Sequence, residues 1–157
     1  MVDIFRQQGE HMIDKKTTEL DDILNYIDNE NELKDYLNQT LSNPILTFVD
    51  YMEQLRISKN IKKSALIESA DIHRTYAYQI LNGTKHPSRD NIIKLCIGGQ
   101  FSIDETNRAL TLGGYNKLYA KDQRDSLITF CLNKQFNLID TNLFLDRFQQ
   151  ALLGNID

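Results

Sequence analysis

Apolar residues recur along most of this chain at the three-to-four spacing of helices rather than the alternation of strands. Leu20, Ile23, Leu24 and Ile27 fall on one helical face, and Leu33, Tyr36, Leu37 and Leu41 on another, separated by the polar break Asp28-Asn29-Glu30-Asn31. Asn43-Pro44 offers a capping side chain followed by a ring whose missing N–H costs nothing at a first helical position. The face that follows is Ile45, Phe48, Val49, Met52 and Leu55. Leu66, Ile67 and Ala70 continue the pattern, which breaks at Asp71-Ile72 and resumes at Ala77, Ile80 and Leu81, as in two short helices joined by a tight turn. Residues 1–16 show weak periodicity and are expected to be loosely ordered.

The C-terminal part repeats itself at an offset of 35 residues. Arg89-Asp90 matches Arg124-Asp125, Ile93 matches Ile128, Cys96 matches Cys131, and Gln100-Phe101 matches Gln135-Phe136. Thr106-Asn107 matches Thr141-Asn142, and Leu110 matches Leu145. Each copy, about 89–118 and about 124–153, reads as helix, loop, helix: Asp90 to Ile97 and Ile103 to Leu112, then Asp125 to Leu132 and Leu138 to Leu153. Ser102 with Glu105 forms a capping box, and Gly98-Gly99 and Gly113-Gly114 read as helix terminators. Two copies are too few for a free-standing array, so the expectation is that they extend the core of the preceding helices. The repeated Thr-Asn pair is expected to make structural hydrogen bonds. The resulting expectation is an all-α chain with acidic N-terminal helices at 1–42, a helix-turn-helix core at 43–98 and a duplicated helical hairpin in an extension at 99–157.

Charge changes the picture once it is divided along the chain. The net charge is -4, with 41% hydrophobic and 25% charged residues, ordinary for a globular domain. Residues 1–54 hold twelve Asp/Glu against four Lys/Arg, whereas residues 55–94 hold eight Lys/Arg against three Asp/Glu. Basic charge therefore collects on the two-helix motif, as on a localised nucleic-acid surface. No apolar run is long enough for a membrane span and the N-terminus lacks a signal-peptide pattern, which leads to the expectation of a cytoplasmic protein. Cys96 and Cys131 lie among Ile and Leu, where a thiol behaves as a small apolar group, so neither disulfide nor metal is expected. His11, His73 and His86 are scattered and no phosphate-cradling glycine loop is present, so no catalytic residue and no cofactor is assigned.

On the second motif helix the outward residues are Arg74, Thr75, Tyr78, Gln79 and Asn82. Arg and Gln can each make two hydrogen bonds to a purine edge, and the major groove admits a helix and distinguishes all four base pairs. Lys62, Lys63, Lys85 and Arg89, with Lys59, stand near the helix ends, where phosphates are approached. His73 opens the second helix as a cap or solvent-facing residue, with phosphate contact as the alternative. Tyr76 is expected to pack at the rim of the interior.

At these residues the chain resembles the phage repressor/Cro-like (XRE) family of helix-turn-helix proteins, over about Pro44 to Ile103. Leu66, Ala70, Ile72, Ala77 and Ile80 occupy positions like the family's core sites, Lys63 its phosphate-contacting position, and Arg74, Thr75, Tyr78 and Gln79 its base-facing positions. NGTKHPSRDNIIKL is similar to the family's turn, Pro-Ser cap and fourth helix. Asp71 stands where the family usually has a turn glycine, His73 and Lys62 where it has capping hydroxyls, and Ile67 where it has a small residue at the helix crossing. The segment GGQFSIDETNRALTLGGYNKLYAKDQRDSLITFCLNKQF resembles the C-terminal half of a subset of XRE-like bacterial regulators, which extends the likeness to residues 18–153. The resemblance implies a transcription regulator that binds double-stranded DNA as a homodimer. The alternative is a helix-turn-helix scaffold reused to bind a protein partner such as a signalling kinase.

Overall fold

The computed structural model describes residues 17–42 and 46–154, with the side chains of 17, 18 and 40–42 left aside. The expectations for residues 1–16, for a helix start at Asn43-Pro44, for Ile45 and for the side chain of Leu41 lie outside the described residues. Every regular element among the described residues is a helix. The chain divides into two compact units, Met1–Leu46 and Thr47–Asp157. The motif and the C-terminal extension, separated at residue 98 in the sequence expectation, thus belong to one unit.

The first unit holds α1 (Thr17–Asn25) and α2 (Glu30–Ser42). The polar break between them is a helix cap: Asn29 Oδ1 accepts from the Glu32 N–H, and the Glu32 carboxylate accepts from the Asp28 N–H. On the apolar faces of the two helices, Leu24, Leu33 and Leu37 are each more than a third exposed, while Leu20, Ile23, Ile27 and Tyr36 are half-buried.

The second unit runs α3 (Phe48–Ser58), α4 (Lys63–Ala70), α5 (Arg74–Leu81), α6 (Arg89–Gly98), α7 (Ile103–Leu112), α8 (Gln123–Asn133) and α9 (Leu138–Arg147). Starts are set by short polar side chains that accept a backbone N–H three residues on: Thr47, Ser88, Ser102, Asp122 and Asn137. Ser102 and Glu105 form the expected reciprocal capping box.

Helix α6 is the centre of the unit. Every residue from Asn91 to Ile97 is buried, and α4, α7 and α9 pack around it. Gly98 lets α4 come close, because a Cβ there would stand 2.9 Å from the Ala70 backbone nitrogen. That packing need, rather than helix termination, explains Gly98. The left-handed residue that ends α6 is Gln100 at φ 54, and its counterpart after α8 is Gln135 at φ 56. In both, the next residue's N–H reaches back into the helix, Phe101 to the Cys96 carbonyl and Phe136 to that of Cys131.

The 35-residue period is reproduced in the bonds of the repeated Arg-Asp dipeptide. Arg89 pairs with Asp125 while Arg124 pairs with Asp90, so the duplicated Arg-Asp dipeptide clasps its own copy crosswise, each at 2.9 Å. Arg89 also donates to the carbonyls of Asn116 and Lys117, and Arg124 to those of Ala151 and Leu152. Burial disfavours ionisation of Asp125, but the Arg89 guanidinium and the Tyr119 N–H outweigh it and hold the carboxyl below the usual range.

In the repeated Thr-Asn pair, both asparagines and Thr141 make the expected structural hydrogen bonds. Thr106 and Thr141 are fully buried, while Asn107 Oδ1 accepts from the Leu118 N–H and Asn142 Oδ1 from the Leu153 N–H. The bond to Leu153 explains one correction: α9 stops at Arg147 instead of running to Leu153. Gln149 turns left-handed at φ 57, and the chain folds back to meet Asn142. Both cysteines are free and buried; burial pushes the Cys96 thiol up to about 12 against the opposing effect of the Thr106 hydroxyl.

Candidate nucleic-acid interface

The turn between α4 and α5 is built on Asp71, which takes the left-handed conformation at φ 49 in place of a glycine. Ile72 fills the interior behind it, with Leu66, Ile67, Ala70, Ala77, Ile80 and Leu81. The bulky Ile67 is accommodated at the crossing, where it is buried among the core residues. Neither Lys62 nor His73 makes a side-chain cap, so the first N–H groups of α4 and α5 receive no side-chain capping bond from either residue.

On the outward face of α5, Arg74 and Thr75 are exposed while Tyr78 and Gln79 are half-buried. The Arg74 guanidinium lies 5.8 Å from the Tyr78 ring centroid, which steadies a long side chain that would otherwise be free. Asn82 caps the helix end: its Oδ1 accepts from both the backbone N–H and the hydroxyl of Thr84. Its side-chain oxygen is therefore used locally. Tyr76 is half-buried, at the rim as expected.

The lysines expected near phosphates divide into two groups. Lys62 and Lys85 are exposed, and neither carries an ion pair among the described residues. Lys63 lies 3.9 Å from the Glu53 carboxylate, which is already held by Arg56. Lys59 pairs with Glu105 at 3.0 Å and sits over the Phe101 ring. Arg89 is placed differently from the expectation, because its guanidinium is committed to Asp125 and the two carbonyls described above. His73 is exposed at the head of α5.

Two further residues bear on this surface. Lys94 is 1% exposed, and its ammonium donates to the carbonyl of Asp71 in the turn at 3.1 Å and to that of Gly154 at 3.4 Å. Its signal in the sequence is a lone cation inside the apolar run Ile92 to Ile97, where a charge must find acceptors. Tyr115 stacks on His86 and donates its hydroxyl to the Pro87 carbonyl at 2.7 Å, bracing the loop that carries Lys85.

The described residues therefore define an all-helical protein in which a two-helix motif shares its core with a duplicated hairpin. No helix among them is long and apolar enough to cross a membrane, and none of their His, Cys, Asp and Glu groups cluster as metal ligands. No family model matches the chain, and neither a curated protein nor a solved structure does.

Proposed function

We propose that this protein is a sequence-specific, double-stranded-DNA-binding transcription regulator of the XRE-like helix-turn-helix kind, acting as a homodimer with α5 in the major groove. The observation that carries the reading is the exposed Arg74–Thr75 head of α5, reached through a left-handed turn and flanked by Lys62 and Lys85, which form no ion pair among the described residues. Arg74 and Gln79 read base edges, with Thr75 and Tyr78 beside them. Lys62, Lys85 and, more weakly, Lys63 hold phosphates. Arg89 and Lys59 serve the fold instead, because both are bound to carboxylates of the same chain.

Selection from random duplexes followed by gel retardation at two salt concentrations tests this. Lys62→Ala and Lys85→Ala each lower the dependence of log affinity on log salt by about one and weaken all sequences alike. Arg74→Ala and Gln79→Ala relax the selected sequence, each at about 1–3 kcal/mol of discrimination. Retardation that is absent, or insensitive to salt, would rule the reading out in favour of a protein-docking motif.

A further inference from the structure

The two hairpins have the same framework but different surroundings. In the first, the outer face is sealed by helix α3: Arg108 lies over the Tyr51 ring at 5.2 Å, Glu105 pairs with Lys59, and Phe101 is 1% exposed. Thirty-five residues on, the equivalents of Phe101, Glu105 and Arg108 are Phe136, Asp140 and Leu143. Nothing seals them. Leu143 is 61% exposed and Ile139 71%, and Phe130 stacks on Phe144 with a large part of its ring in water. Lys134 lies over Phe130 and Arg147 over Phe144, and neither these cations nor Asp140 have an ion-pair partner among the described residues. A contiguous apolar patch edged by unpaired charge of both signs is what a protein interface looks like before it closes.

The position of these charges along α9 identifies the occupant. Asp140, Leu143, Phe144 and Arg147 lie on one helical stripe. If two copies of α9 cross antiparallel about a two-fold axis between Leu143 and Phe144, Asp140 of each copy meets Arg147 of the other. The same axis brings the Leu143 side chains of the two copies together on one flank of the stripe and the Phe144 rings on the other. The stripe is thus complementary to itself in both charge and apolar character, the condition for an isologous contact.

We propose that the outer face of the second hairpin, centred on α9, is the surface through which two copies of this chain dimerise. A helix of the second copy covers the second hairpin as α3 covers the first, with the Asp140–Arg147 pair in the place of Glu105–Lys59. The proposal deepens the homodimer of the regulator reading and rests on that part of it alone.

Sedimentation equilibrium of the full chain without DNA tests it. The unaltered protein is dimeric in the micromolar range. Leu143→Asp is monomeric, with unchanged helical circular dichroism because Leu143 is exposed in the monomer. Asp140→Arg or Arg147→Asp alone weakens dimerisation on the order of 100-fold, and the double exchange restores it. A wild-type monomer, a Leu143→Asp dimer, or a double exchange no better than the single changes would each overturn the proposal. Since no DNA is present, these results stand apart from the gel-retardation outcome, which a monomeric reader would still pass.

Discussion

At Leu95, Phe101 and Ala109 the first hairpin is closed over by the motif, whereas Phe130, Phe136 and Phe144 hold the same three places in the second and remain partly in water. The two copies agree where they face the shared interior or each other: Ile93 with Ile128, Cys96 with Cys131, Leu110 with Leu145, and the crossed Arg-Asp dipeptides. They differ where their neighbours differ. Identity between copies is thus concentrated at what a hairpin needs to fold and to join its twin, although Phe101 and Phe136 are identical in different surroundings.

The most forceful way to break this comparison is to remove the same side chain from both copies. Phe101→Ala is expected to cost about 3–5 kcal/mol, as for a buried aromatic, and Phe136→Ala less than half of that in the monomer, both read by urea denaturation. Equal losses would mean that the second face is covered after all. Next come the crossed ion pairs. Arg89→Ala and Arg124→Ala should each cost about 2–3 kcal/mol, below the figure for a fully buried pair because both guanidinium groups keep some contact with solvent. The two values should agree within about 0.5 kcal/mol if the copies are equivalent at their junction.

The smallest effect comes from acid. The folded Asp125 carboxyl lies below its unfolded range, so its stabilising contribution is complete above the unfolded pKa and disappears as pH falls through the folded one. Glu105 behaves in the same way; burial opposes its charge, but the Ser102 N–H and Lys59 prevail. Asp125→Asn and Glu105→Gln should each flatten the decline in thermal midpoint below about pH 4, the ordinary carboxylate range. A decline as steep as in the unaltered protein would remove these pairs from the account of acid stability.

Much of this architecture was legible because it is local. Helical periodicity marks α4 to α8, the Ser102–Glu105 box places the start of α7 to the residue, and the period of 35 anticipates the two hairpins. The end of α9 was hidden because no glycine or proline marks it. Gln149 turns left-handed under the hold of Asn142 on Leu153, an interaction between residues eleven apart. Arg89 misleads for a related reason. Beside the motif it looks like one more phosphate contact, and only the fold shows that its partner is the repeated aspartate 36 residues away. Likewise, periodicity gives α9 an outward face but cannot say that the face lacks a neighbour, since that depends on α3 having been used once already.

Lys94 has a practical consequence for dissecting the molecule. Its ammonium holds a carbonyl of the motif's turn with one hydrogen bond and the returning tail with another, so the two ends of the unit meet at one interior cation. A fragment trimmed at Gly98 to isolate the motif would strip the tail carbonyl from that cation and open the apolar flank of α6 to water. Deletions made far from α5 would thus be felt in the turn that aims it. Surface substitutions in the full-length chain are the informative way to separate reading from assembly.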